Sequence, residues 1–280
     1  MLIYGKEIRE RIKADIKRQV ELTPMSMAII QAGTNEASCL YVRSIEKFGR
    51  DVGIEVKVLQ FPENTSEESL AEQIVQLNCD PALTGIMLQT PLPPGLNYSR
   101  LVNAIAWHKD VEGLHNYNLG RLLSREDGVK PSTPKAVISI LRGHGVEMEG
   151  RRVTIVGRSM VVGSPLAVMM TRENATVNLC HSHTRDLAEE TRAADILVVA
   201  VGKPNLISAD MVRGQSVIID VGINFAENGQ VIGDVSAEAK AKARMASAVP
   251  GGIGVLTVAE LFDNLCILKR QDQGEGINHR

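Results

Sequence analysis

Along the first half of the chain, apolar positions alternate between two spacings. Ile8, Ile12, Ile16 and Val20 stand four apart within residues 5–20, a stripe that predicts an amphipathic helix with its charges facing away. Met27–Gln31 is a short apolar run ending near Gly33, and it reads as a strand. Residues 36–52 return to helical spacing, and Glu55–Phe61 is strand-like. Thr65 and Glu68 make a capping-box pattern ahead of a helix carrying Leu70, Ile74 and Leu77. Gly85–Gln89 is the next buried strand, broken by Pro91, Pro93 and Pro94. Strands that alternate with helices predict a parallel sheet with helical crossovers.

From about 115 to 135 the periodicity fades, and Pro131-Ser132-Thr133-Pro134 opens another helix. A second series comes next, with strands expected at Arg152–Val156, Thr176–Leu179, Ile196–Val201 and Ser216–Val221. Asn228-Gly229, between Ile223–Phe225 and Val231–Gly233, predicts a hairpin. The loop Val249–Gly254 leads into a last helix over about 256–270, with residues 271–280 expected to fray. The fold class that emerges is α/β, in two α/β domains, the second Rossmann-like.

Composition narrows the function. Of 280 residues 44% are apolar and 23% charged, as in an ordinary globular protein. A net charge of −2 gives no reason to expect nucleic acid or an anionic membrane as partner. No stretch approaches the ~18 apolar residues of a membrane span, and the N-terminus turns charged before an apolar run develops. Cys39, Cys79, Cys180 and Cys266 are scattered, without a CxxC pair. These features lead us to expect a reducing, cytoplasmic setting.

The chemistry starts where the strand Arg152–Val156 runs into Gly157-Arg158-Ser159-Met160-Val161-Val162-Gly163 and then an apolar helix. A glycine turn between strand and helix lets phosphates approach backbone N–H groups. It is not the standard GxGxxG, and a tight turn with no ligand fits the same residues. The next strand ends at Leu179-Cys180-His181-Ser182-His183-Thr184-Arg185, where an NAD site usually carries an Asp or Glu for the ribose hydroxyls. Hydroxyl and basic groups stand there instead, with Arg158 one loop away, and this pattern suits the 2′-phosphate of NADP. Cys180, His181 and His183 do not make a metal site, because adjacent strand residues point to opposite faces.

Taken together and in order, several blocks resemble the bifunctional methylenetetrahydrofolate dehydrogenase/methenyltetrahydrofolate cyclohydrolase family over nearly the full length. They are Ala37-Ser38…Tyr41-Val42, Gly85–Pro93, Lys109-Asp110-Val111-Glu112-Gly113, Asn118–Leu122, the Gly157 turn and Val249–Gly252. The resemblance implies a catalytic, folate-binding domain over 1–133 and 256–280, an NADP domain over 134–255, a cleft between them, and a homodimer. It assigns Tyr41 to stack on the folate and Gln89 to sit beside the reacting carbon, the two catalytic positions. Glu112, Pro250, Gly251 and Gly252 join them in binding substrate. Cofactor contacts fall to Gly157, Arg158, Ser159, Gly163, Ser182, Thr184 and Ile223. The implied cofactor is NADP, with no metal, and the implied partner is a reduced folate.

The sequence departs from the family where protons are handled. Four residues after Tyr41, where the family has its active-site lysine, stands Ile45. Lys47 and Arg43 are each two residues away, about 200° around a helix and so on the opposite face. Glu112 replaces the family's pterin-gripping Asp, moving the carboxylate outward by ~1.5 Å. Val255 stands where proline is common. Hydride removal from the methylene bridge is assisted by a folate nitrogen and needs mainly positioning. Hydrolysis of the methenyl product needs assisted proton transfer, typically 10²–10⁴-fold in rate. The expected function is NADP-dependent oxidation of 5,10-methylenetetrahydrofolate with cyclohydrolase weak or lost. A fully bifunctional enzyme with a rearranged proton relay, and a non-catalytic NADP-binding regulatory homologue, stay open.

Overall fold

The computed structural model describes residues 1–226 and 229–274. In chain order the first elements are β1 (Leu2–Ile3), α1 (Lys6–Leu22), β2 (Ser26–Ala32), α2 (Glu36–Val52), β3 (Glu55–Phe61), α3 (Glu67–Asn78) and β4 (Gly85–Leu88). Then come α4 (Tyr98–Ala104), α5 (Asn116–Leu123), α6 (Ser132–Gly143), β5 (Arg152–Val156), α7 (Gly163–Arg172), β6 (Thr176–Cys180), α8 (Leu187–Arg192) and β7 (Ile196–Val199). The series closes with β8 (Val217–Asp220), β9 (Asn224–Phe225), β10 (Val231–Ile232), α9 (Ala237–Lys242), β11 (Met245–Ser247) and α10 (Ile253–Asp272). The chain divides into two compact units, Arg11–Ser132 with Val258–Arg280, and Met1–Glu10 with Thr133–Thr257. Among the described residues no helix is long and apolar enough to cross a membrane.

The first unit is built on a parallel sheet of order β3-β2-β4. β2 is buried along almost its whole length, as a central parallel strand covered on both faces must be. One face carries a core of Met27, Ile29, Val42, Ile45, Phe48 and Phe262, among others. Helix α2 presents Ser38, Val42, Ile45, Phe48, Gly49 and Val52 to the interior, the three-and-four spacing of a buried stripe. Asn35 caps its start, accepting from Ser38 N at 3.1 Å, and Gly53 ends it in the left-handed region. Helix α10 returns to this core, with the rings of Phe48 and Phe262 4.9 Å apart. The opposite face holds Ala28, Ile30, Leu70, Ile74, Ile86 and Leu88.

The second unit carries a six-stranded sheet of order β1-β11-β8-β7-β5-β6, parallel at every pairing. The chain goes from β5 out to β6, then returns to place β7 on β5's other side. Such a reversal leaves the carboxyl ends of β5 and β7 free to meet a ligand. The expected boundary put residues 1–10 with the other unit. Here β1 joins this sheet, Leu2 pairing with Ala246 and Ile3 with Ser247.

Further differences from the expected elements have local causes. The cap of α3 is Ser66, which accepts from Ser69 N, rather than Thr65. Helix α10 starts at Ile253, three residues earlier than expected, and runs to Asp272. Strands β9 and β10 pair antiparallel as the expected hairpin, although Asn228 of its turn lies outside the described residues. Residues 275–280 of the expected frayed tail also lie outside them.

The loop between α4 and α5 is organised by a buried charge. Its Lys109–Val111 segment runs beside β4, with Ile86 N donating to Lys109 O at 2.7 Å. Asp110 is 1% exposed, and its carboxylate accepts from Glu112 N, Gly113 N and His115 N and from Asn118 Nδ2 at 2.8–3.2 Å. From α10, Asn264 Nδ2 donates to Val111 O and Lys130 O at 2.9 and 2.8 Å. Removing the Asp110 acceptor would strand several buried donors. Asp110→Ala is expected to cost about 3 kcal/mol, read as a lower urea midpoint; an unchanged midpoint would show that the loop holds without it.

Candidate active site

In the first unit, Tyr41, Gln89 and Glu112 come from α2, the end of β4 and the loop beside β4. Tyr41 is half-buried and packs against the core face that contains Ile45. Ile45 is fully buried, whereas Arg43 and Lys47 are exposed. The helix therefore turns both neighbouring cations away from the face that Tyr41 and Ile45 share.

Gln89 is 6% exposed. Its backbone N–H donates to Ile30 O at 2.9 Å, which continues the sheet by one rung. The side-chain Nε2 donates to Thr90 O, which also accepts from Ser38 Oγ at 3.2 Å. Gln89 Oε1 is buried with no partner. A buried acceptor left open is costly unless something donates to it, so Gln89 presents a fixed acceptor for a bound molecule.

Glu112 is half-buried. Burial is the main reason its carboxyl is pushed up to about 8, and the Asp110 carboxylate adds to the effect; the Leu88 N–H pulls the other way. Burial also raises the Tyr41 hydroxyl, with Glu112's charge adding to it. Tyr98, at the start of α4, is raised by burial, then Glu112, then Asp110. Its place near these acids was not anticipated from the sequence, because nothing local at position 98 signals a neighbour fourteen residues later. His115 is structural: its Nδ1 accepts from Tyr117 N at 3.0 Å and caps α5.

In the second unit, the β5–α7 turn requires glycine twice. Gly157 has φ +116°, and a Cβ there would fall 2.3 Å from Ala200 O. A Cβ on Gly163 would fall 1.8 Å from Gly157 O. Ser159 Oγ accepts from Val162 N at 3.1 Å, and Ser164 Oγ donates to Arg158 O at 3.1 Å, which braces the turn. Val162, at the N-cap, supplies no side-chain acceptor to the first turn of α7. That leaves a helix start whose N–H groups and dipole suit a phosphate.

Val156 and Cys180 are register partners, so Arg158 and Ser182, each two residues on, emerge at one end of the sheet, both exposed. Thr184 is committed locally: its Oγ1 accepts from His181 N at 2.9 Å. Ile223, Pro250, Gly251 and Gly252 together line an apolar cavity of about 250 Å³. A phosphate cradle, a basic and hydroxyl pair beyond it, and an apolar slot in the same unit fit a dinucleotide.

Comparisons with known proteins agree with this geometry. Residues 3–112 match the model of the tetrahydrofolate dehydrogenase/cyclohydrolase catalytic domain, and residues 131–273 match the NAD(P)-binding domain of the same family. Bifunctional protein FolD 2 of Syntrophomonas wolfei is 58% identical over 271 residues, 97% of this chain and 100% of that protein. The crystal structure of the bifunctional FolD methylenetetrahydrofolate dehydrogenase/cyclohydrolase from Campylobacter jejuni superposes with a TM-score of 0.94 at 35% identity, over 97% of this chain and 99% of that one. The Trypanosoma brucei enzyme, solved with NADP cofactor and an inhibitor, gives 0.91 at 32% identity, over 98% of each chain. The chain belongs to the tetrahydrofolate dehydrogenase/cyclohydrolase family.

Proposed function

We propose that this protein oxidises 5,10-methylenetetrahydrofolate to 5,10-methenyltetrahydrofolate with NADP, and that its cyclohydrolase activity is weak or lost. The observation that carries the second half is Ile45, fully buried among apolar side chains one turn after Tyr41. In this reading the first unit holds the reduced folate and the second holds NADP. The resemblance further supports a homodimer, and the scattered cysteines a reducing, cytoplasmic setting.

Bound NADP supplies the hydride acceptor. Tyr41 offers a half-buried ring for the folate to stack against. The open Oε1 of Gln89 accepts a hydrogen bond and fixes the folate beside the reacting carbon. The pterin ring presents N–H and amino donors, and the Glu112 carboxylate accepts from them. Gly157, Ser159 and Gly163 form the phosphate turn, while Arg158 and Ser182 hold the 2′-phosphate. Thr184 braces the loop that carries Ser182. Ile223, Pro250, Gly251 and Gly252 supply the apolar walls. None of these tasks requires a base. Hydrolysis does, and the face of α2 that Tyr41 shares carries an alkyl group where the family has an ammonium.

A paired assay tests the reading. Methylenetetrahydrofolate with NADP is expected to yield reduced cofactor, while methenyltetrahydrofolate alone hydrolyses near the buffer rate. Ile45→Lys is expected to raise hydrolysis by about 10²-fold or more, the usual scale of a general acid–base group. Robust hydrolysis by the unmodified protein, unchanged in Ile45→Lys, would overturn the proposed loss.

Glu112 adds a pH signature. Below its raised value the carboxyl carries a proton on one oxygen and offers one good acceptor where the carboxylate offers two, so a two-point grip on the pterin requires that proton to leave. KM for the folate is expected to fall about tenfold from pH 7 to pH 9, as a group titrating near 8 requires. Glu112→Gln should flatten this dependence. A KM that rises with pH would mean that the neutral acid is the binding form.

A further inference from the structure

Beside the apolar cavity of the second unit, two carboxylates are buried almost completely: Asp220 at 1% exposure and Asp234 at 0%. Asp220 Oδ1 accepts from Gly222 N at 3.1 Å and Asp234 N at 3.0 Å. Its Oδ2 accepts from Val235 N at 3.1 Å and pairs with Lys240 Nζ at 2.7 Å. Asp234 Oδ2 accepts from Val201 N and Gly202 N at 2.8 and 3.0 Å, and its Oδ1 from Asn224 Nδ2 at 2.9 Å. These bonds tie together the loops after β7 and β8.

The packing around the clasp is tight. A Cβ on Gly222 would lie 2.2 Å from Asp234 Cγ, and one on Gly233 would lie 1.8 Å from Asp220 Oδ2. No side chain fits between the carboxylates and the backbone that lines the cavity with Val221–Ile223. Two carboxylates and one ammonium leave one formal negative charge beside an apolar slot. A fixed charge there is felt more strongly than in water. In the sequence Asp220 stands near the end of the expected strand Ser216–Val221.

We propose that the Asp220–Asp234–Lys240 clasp sets the redox-state preference of this cavity, favouring the oxidised, positively charged nicotinamide over the neutral reduced ring. The proposal rests on the reading that the nicotinamide end of NADP lies along Ile223 and the Pro250–Gly252 loop. Oxidised and reduced cofactor differ at the ring by one unit of charge and share every phosphate. A purely structural clasp would therefore support both forms equally, whereas a charged one separates them. Asp220 lines the cavity at the end of its strand and Asp234 packs against Gly222, so the pair acts on the ring through the field and the loop position. The bias suits an enzyme that takes up oxidised cofactor and releases reduced cofactor.

The test is calorimetric titration with NADP⁺ and with NADPH separately, without folate, at one salt concentration. Asp234→Asn removes the unpaired charge and keeps an oxygen for Val201 and Gly202, while the Asn224 amide can turn to accept. It is expected to shift the affinity ratio about tenfold towards NADPH, the order that one charge exerts across a partly buried site. Lys240→Met removes the compensating ammonium and should shift the ratio the opposite way. In variants that keep the native circular dichroism, affinities that move together, or do not move, overturn the proposal. If Lys240→Met fails to fold, Asp234→Asn decides alone. An unmodified protein that binds neither form overturns the cofactor reading and the clasp proposal with it. Binding of both forms without folate turnover counts against the folate reading only.

Discussion

The buried carboxylate of Asp110 is the constraint on which the loop that carries Glu112 depends. Four N–H donors converge on it, three from the backbone of its own loop and one from Asn118, and together they set the path from Lys109 to His115. Glu112 is on that path only because the loop closes around Asp110. The same charge that closes the loop also adds to burial in raising Glu112. Burial raises the Asp110 carboxyl while its hydrogen-bond donors favour the charged form, and whatever charge it carries makes it harder for Glu112 to ionise. An acid raised in the folded state withdraws stability as pH climbs from its ordinary range through its folded value. The loop carries that cost in order to place a carboxyl where the pterin is expected.

The second unit solves a related problem by opposite means. Asp220 and Asp234 are more deeply buried than Glu112, yet every oxygen that the structure describes on them has an N–H or ammonium partner. Buried charge is tolerated when its hydrogen bonds are complete, and removing one partner is then expensive. Their position is set by the sheet order. Because β5 lies between β6 and β7, the turns after β5 and β7 open side by side, and Gly157 approaches Ala200 so closely that no side chain fits. The phosphate turn and the clasp are two consequences of one topological reversal.

How much of this was legible in the sequence depends on how local each signal is. The core of α2 and the strand β2 were readable because burial stripes there run for several residues at one period. Helices α4 and α5 were not, since seven and eight residues give too few turns for a period, and their caps Asn97 and His115 look like ordinary loop residues. Strands β1 and β11, two and three residues long, exist only because each has a partner far away in the chain. The one-residue slip at α3 arose because Thr65 and Ser66 are both good caps, and only hydrogen-bond geometry chooses between them. Among site residues, the glycine turn was visible as a pattern. Tyr98 and the Asp220–Asp234 clasp were not, because their meaning lies entirely in neighbours brought by the fold.

Position 45 joins the two themes of buried charge and core packing. In this chain it is filled by an alkyl side chain that touches no water and belongs to the same apolar cluster as Met27, Ile29 and Phe262. Burying an isoleucine in this way contributes ~1.5–3 kcal/mol, whereas an ammonium at the same place would need a partner to be tolerated. Isoleucine therefore stabilises the core without calling for a charged partner. On the proposed reading, positions 45 and 112 act together: an alkyl side chain on the face that Tyr41 shares, and a raised acid in the loop beside β4, suit holding a folate still better than moving protons through water.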